Sequence, residues 1–150
     1  RDTGKYGLGV FAIENIKKGE IVADSSDGTI YEAGKCSKLS KEVEDHAMQF
    51  EEGKWIDAKE NGRYINHSCE PNCGIKDKFK IVAMRDINKG EEINIDYEMT
   101  EDSDWKMECN CGSSICRGII GAHKNMPKSV RQKYGKYISD WLIEKYKKQN

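Results

Sequence analysis

The chain has no long hydrophobic run, only two prolines, and almost no net charge. No apolar stretch approaches the ~18 residues that span a bilayer, and the first residues hold no apolar core of a signal peptide. Membrane spans are therefore excluded, as are collagen and coiled coil. Arg1 rather than Met opens the sequence, which suggests a trimmed piece. Charged residues make up 34% and hydrophobic ones 37% of 150 residues, the balance of one polar-surfaced soluble domain. Twenty-five basic against twenty-six acidic residues leave a net charge of −1, without the basic excess of a nucleic-acid binder.

That total conceals a division. From 124 to 150 there are eight basic residues and two acidic ones, a net of +6, so residues 1–123 carry −7. Glu98, Glu101, Asp102, Asp104 and Glu108 face only Lys106 in their stretch. Either these are solvated faces, or the acidic stretch attracts a basic peptide.

Six cysteines lie at 36, 69, 73, 109, 111 and 116. Three of them sit within eight residues, with Gly112 supplying the reversal that a metal knuckle needs. This grouping, without a signal peptide, favours zinc in a reducing compartment over a disulfide framework, despite the Asn66-His67-Ser68 glycosylation sequon. The fourth ligand is open among Cys69, Cys73, His67 and Cys36.

Residues 11–21 reappear as 82–92, each a strand, a bend carrying an isoleucine, a Lys-Gly-Glu turn and a second strand. Two copies predict two similar β corners within one domain rather than a solenoid. Hairpins are predicted for 47–58 and 74–84, a strand for 92–96, and one helical turn for 40–45. After Pro127, apolar residues recur at helical spacing (Val130, Tyr134, Tyr137, Ile138, Trp141, Leu142). They predict a basic amphipathic helix packed on the domain and broken at Gly135.

Gly7-Leu8-Gly9-Val10-Phe11-Ala12 fits G-x-G-x-x-A, but a polar segment precedes it and a strand follows, so a Rossmann site is excluded. The glycine pair fits an ordinary turn or a close approach to a ligand. Arg63–Cys73 is rich in polar groups, yet His67 and Cys69 stand two apart with no acidic orienter, a poor Cys/His hydrolase. Tyr97, at the end of a strand, gains meaning only from its companions.

Together, Gly-x-Gly near the start, Arg-Tyr-Ile-Asn-His-Ser-Cys-Glu-Pro-Asn (63–72), Gly-Glu-Glu-Ile-Asn-Ile-Asp-Tyr (90–97) and Cys-x-Cys-x4-Cys (109–116) resemble a SET-domain protein-lysine methyltransferase with a post-SET zinc loop. The likeness runs from about Tyr6 to Gly118; the segment after Gly121 lies outside the general pattern. It implies a mainly β, β-clip-like, pseudoknotted fold of short strands with a C-terminal helical segment. The division implied is 1–100 SET core, 101–121 post-SET zinc loop and 122–150 helical extension, in one compact unit. It implies S-adenosylmethionine as methyl donor, S-adenosylhomocysteine as product, and a structural zinc.

On this resemblance Tyr97 is the catalytic tyrosine. Tyr6, Gly7, Leu8 and Gly9 form the cofactor turn, with Arg63, Asn66 and His67 as the second cofactor contact. Cys69 joins Cys109, Cys111 and Cys116 on zinc, leaving Cys73 and Cys36 as spare buried thiols. Two positions depart from the family. Ser25 stands where relatives often carry an aromatic against the cofactor. Ile95 replaces a Phe or Tyr tied to the number of methyls added, which favours di- or trimethylation.

The implied substrate is a lysine in a basic peptide such as a histone tail, with no direct nucleic-acid binding required and no membrane. The implied location is intracellular: nucleus and chromatin in a eukaryote, cytoplasm in a prokaryote. The alternative is a non-catalytic, zinc-stabilised peptide-binding module on the same fold.

Overall fold

A sequence that repeats a strand–bend–turn unit can pair the two copies reciprocally, and this chain does so. In the computed structural model, which describes residues 1–34 and 40–147, Ile16 and Ile87 form an antiparallel bridge with both N–H···O distances at 2.9 Å. The Ala12 N–H donates to the Glu91 carbonyl and the Ala83 N–H to the Glu20 carbonyl, each at 2.9 Å. The Gly19 N–H reaches the Ala83 carbonyl and the Gly90 N–H the Ala12 carbonyl, each at 2.8 Å. Even the side chains match: Asp86 accepts from the Lys18 N–H and Asn15 from the Lys89 N–H, both at 2.9 Å. The echo is thus a local two-fold clasp. Its two glycines both take φ of +91°, which only glycine adopts without strain.

Short strands follow from this. β1 (Val10–Phe11), β2 (Ile21–Asp24) and β3 (Thr29–Glu32) come first, then α1 (Lys41–Glu44), β4 (Met48–Glu51) and β5 (Lys54–Asp57). β6 (Asn66–His67), β7 (Cys73–Lys76), β8 (Lys80–Ala83), β9 (Glu92–Ile95), β10 (Met107–Glu108) and β11 (Ile119–Ile120) complete the strands. They form four small sheets, β3-β5-β4, β2-β8-β7, β1-β9-β6 and β10-β11. Both predicted hairpins form, β4–β5 turning at Gly53 (φ +66°) and β7–β8 at Asp77 and Lys78 (φ +50° and +67°). The predicted turn at 40–45 is α1, capped by Ser40, whose hydroxyl accepts from the Val43 N–H.

The segment after Pro127 forms α2 (Lys128–Tyr134) and α3 (Asp140–Lys147), separated at Gly135 with φ of +50°. Tyr134, Ile138 and Leu142 enter the same core as Ile75, Ile81, Ile93, Ile95 and Met99. Among the described residues, no helix is long and apolar enough to cross a membrane. Cys36 lies outside the described residues.

Gly74 marks how closely the C-terminal segment packs. A Cβ there would sit 2.5 Å from the Cβ of Tyr137. Gly74→Ala is expected to lose about 1–3 kcal/mol, as overpacking does, or roughly 3–10 °C in a thermal melt. An unchanged Tm would mean that the segment can lift away freely.

Candidate functional site: a tyrosine, a glycine turn and a cysteine cluster

The parallel pairing of β6 with β9 sets Asn66 opposite Asn94 and His67 opposite Ile95. After β9 the chain enters a tight helical turn, Tyr97–Met99, capped by Asp96, whose Oδ1 accepts from the Glu98 N–H at 3.1 Å. The Tyr97 N–H donates to His67 Nδ1 at 3.2 Å, and its hydroxyl donates to the Ile65 carbonyl at 2.9 Å. Burial, and then the Glu92 carboxylate, push the Tyr97 phenol above its ordinary pKa, so it stays protonated. Burial also holds His67 down at about 4, against the pull of Asp96. The ring is therefore neutral; since Nδ1 accepts, Nε2 carries the proton and points at Cys69 Sγ, 3.4 Å away.

Tyr97 borders a cavity of about 540 Å³ whose walls include Ser25, Ala58, Ile65, Ile95, Trp55 and Trp105. The ring centroids of Tyr97 and Trp105 are 6.2 Å apart. Ser25 is buried in this wall, and Ile95 gives it an apolar patch without a hydroxyl. Glu44, Asp45 and Asp104 stand exposed around the opening.

The glycine turn meets Asn66. Its Nδ2 donates to the Leu8 carbonyl at 3.1 Å and to Glu92 Oε1 at 2.9 Å. A Cβ on Gly9 would lie 2.6 Å from Thr3 Cγ2 and 2.7 Å from Glu92 Oε1, so a side chain there would displace both. Gly7 takes φ of +79° and has open space where its Cβ would be. Tyr6 and Leu8 are exposed beside it. Arg63 does not join this group: its guanidinium bonds Asp57 at 3.0 Å and Glu42 at 3.2 Å in the cavity wall. The His67 side chain is likewise committed to Tyr97 and Cys69.

The sulfurs of Cys69, Cys109, Cys111 and Cys116 all lie within 4.8 Å of one another. Four 2.3 Å bonds to a tetrahedral zinc place sulfurs about 3.8 Å apart. The Cys69–Cys109 separation is 3.8 Å, so this donor set fits zinc. Of the open candidates, Cys73 lies apart in the main core, where burial pushes its thiol up to about 12. The Lys5 ammonium donates to the Asn110 carbonyl and ties the glycine turn to this knuckle.

Other residues gather here without a sequence signal of their own. Arg117 donates to Asp96 Oδ1 at 2.8 Å and lies 3.2 Å from Glu98 Oε2, forming a buried ionic group behind Tyr97. The Gly121 N–H donates to Glu98 Oε1 at 2.9 Å, and His123 Nδ1 bonds the Glu98 carbonyl at 2.7 Å. Only the position of Arg117 beside Cys116 could have drawn attention to it.

The acidic stretch 98–108 is largely consumed within the fold, which leaves few of its carboxylates either to solvent or to a basic peptide. Glu98 is buried against Arg117, and Glu101 accepts from Trp55 Nε1 at 3.3 Å and the Ser103 N–H at 2.9 Å. Asp102 pairs with Lys145 at 2.7 Å and with the Tyr146 hydroxyl. Within this stretch only Asp104 and Glu108 are exposed carboxylates.

Comparison with known proteins identifies the family. The SET domain family model matches residues 7–98. The chain is 36% identical to the Schizosaccharomyces pombe "Histone-lysine N-methyltransferase, H3 lysine-4 specific", across 77% of this chain and 14% of that protein. It is 31% identical to the H3 lysine-36 specific enzyme of the same organism, across 89% of this chain and 19% of that one. It thus spans less than a fifth of either relative. Among solved structures, KRYPTONITE in complex with mCHG DNA and SAH superposes with a TM-score of 0.60 and 25% identity, over 79% of this chain and 27% of that one. With Tyr97, the parallel β6–β9 pair and both glycines of the turn inside the matched span, the chain belongs to the SET-domain family.

Proposed function

We propose that this protein is an S-adenosylmethionine-dependent protein-lysine N-methyltransferase acting on a basic peptide such as a histone tail. The observation that carries this reading is a protonated Tyr97 hydroxyl, anchored on the Ile65 carbonyl, at the wall of a cavity and close in the fold to the Asn66–glycine turn. The named relatives are histone-lysine N-methyltransferases, and the KRYPTONITE complex contains SAH; both support the reading. In a eukaryote such a substrate is met in chromatin.

The bound cofactor supplies an electrophilic methyl carbon on its sulfonium. The Tyr6–Gly9 turn and Asn66 would hold it, since glycine at 7 leaves open space on that side of the turn. Cys69, Cys109, Cys111 and Cys116 would hold zinc. Tyr97 donates its hydrogen to Ile65, which leaves its oxygen lone pairs free to accept an N–H of the substrate amine and aim the nitrogen lone pair. The residues divide as a SET core (1–100), a post-SET loop (101–121) and a helical extension (122–150). Ile95 offers no hydroxyl to hold water near the amine and leaves room for methyl groups, consistent with di- or trimethylation.

The lysine must be neutral to attack. Deprotonating an amine of pKa ~10.4 near pH 7.5 costs about 4 kcal/mol. Alignment of two bound reactants contributes ~7–11 kcal/mol, so orientation outweighs that cost without a strong base. Tyr97, protonated throughout, cannot act as that base. The decisive experiment is transfer of labelled methyl groups to histones and to a lysate, with the modified lysine mapped. Activity should rise at least fivefold from pH 7 to pH 9 as the neutral amine becomes more abundant. A flat profile removes amine deprotonation as the controlling step. Absence of S-adenosylmethionine binding by calorimetry, together with absence of methyl transfer, would leave the non-catalytic binding module instead.

A further inference from the structure

Among the side chains that the helices after the cysteine loop send into the core, Tyr134 also carries a polar group. Tyr134, in the last turn of α2, is buried, and its hydroxyl lies 3.0 Å from Asp96 Oδ2 and 3.3 Å from the Cys69 carbonyl oxygen. Asp96 is fully buried and is the residue before Tyr97. Its Oδ1 serves Arg117 and the Glu98 N–H that closes the tyrosine turn. Among the described residues, its Oδ2 has the Tyr134 hydroxyl as its hydrogen-bond partner.

The Cys69 carbonyl belongs to a cysteine of the cluster, and its sulfur receives His67 Nε2, whose other nitrogen holds the Tyr97 N–H. One hydroxyl therefore touches both supports of the Tyr97 main chain: the Asp96 cap and the Cys69–His67 arm. A packing role alone would need only the ring. Leaving a buried carboxylate oxygen without its donor drives that carboxylate to reorient, because an unsatisfied charged acceptor is costly. Asp96 can then only turn toward Arg117, and the Tyr97–Met99 turn must follow.

We propose that Tyr134 is a positioning residue: its hydroxyl joins Asp96 and the Cys69 carbonyl, and so sets where the Tyr97 hydroxyl lies. The helical extension thereby becomes part of the reaction's geometry and not only its outer packing. The kinetic part rests on the methyltransferase reading; the positional part does not.

The test compares two substitutions in the zinc-loaded full chain. Tyr134→Phe removes one oxygen and keeps the ring, with Arg117 still holding Asp96. Val130→Ala removes packing from the same helix without touching the hydroxyl. Tyr134→Phe is expected to lower kcat about tenfold with KM for peptide and cofactor within twofold. It should also cut hydrogen-exchange protection of the Tyr97 amide at least tenfold, at an unchanged zinc content. Val130→Ala should lower Tm by as much or more, loosen the α2 amides, and leave both kcat and the Tyr97 amide near wild type.

Equal Tyr97 protection in Tyr134→Phe and wild type overturns the proposal, as does a Val130→Ala variant that reproduces its losses. If the wild-type protein transfers no methyl group, the enzymatic reading fails, and the amide measurement still decides the role of Tyr134.

Discussion

Replacing Tyr97 by phenylalanine is expected to lower the rate of methyl transfer by two to four orders of magnitude while changing S-adenosylmethionine affinity less than threefold. The ring would remain between His67 and Trp105, so the cavity keeps its shape. The hydroxyl that fixes the amine would be lost, and misplacing a bound nucleophile by about 1 Å costs on the order of 10²-fold. A hundredfold loss corresponds to ~2.7 kcal/mol of barrier. The structural cost is smaller, about 1 kcal/mol, from leaving the Ile65 carbonyl without its donor. Kinetics and cofactor titration on the same preparation separate the two effects. A variant with wild-type turnover would remove Tyr97 from the mechanism.

Removing zinc is the second large effect expected. The cysteine cluster is a small core of its own, where Cys69, Cys109 and Ile120 are buried beside Tyr97, Trp105 and Met107. So few apolar side chains cannot hold the 98–120 segment unaided. Structural zinc in small domains contributes roughly 10–16 kcal/mol of apparent binding free energy at neutral pH. Cys109→Ser, or a chelator, should therefore abolish activity and expose residues 98–118 to exchange. Cofactor affinity should also fall at least tenfold, because Lys5 ties the glycine turn to the Asn110 carbonyl. The clasp around Ile16 and Ile87 should keep its protection, since it lies in the main core. Activity unchanged after metal loss, verified by elemental analysis, would reduce the cluster to a peripheral staple.

Much of this was legible locally. The repeat predicted two similar corners, because Lys-Gly-Glu turns need a glycine at positive φ and a carboxylate to cap the preceding N–H. That the corners clasp each other residue for residue was not legible, since it depends on each supplying donors to the other. The hairpins and the break at Gly135 are encoded in neighbouring residues and appeared as expected. The four zinc-compatible cysteines needed the family resemblance, because spacing fixed only three of them.

The charge division shows the limit most clearly. Summed by position, the acidic stretch and the basic tail looked like separate surfaces, yet Asp102 and Lys145 meet 2.7 Å apart. Tyr134 was readable only as one apolar position in a helical stripe, because its ring gives that pattern and its hydroxyl does not.

The sequence by itself determined the elements: short strands closed by glycine turns, a cysteine knuckle, and a helix whose apolar face must be buried. Each depends on contacts within a few residues, where side-chain type and spacing settle the outcome. The tertiary structure decided which distant groups meet: Asn66 with the Leu8 carbonyl at the surface, and inside it His67 with Tyr97 and Asp96 with both Arg117 and Tyr134. Such pairings answer a global demand, that buried charges and hydroxyls as a rule find partners, and no local pattern specifies which partner that is.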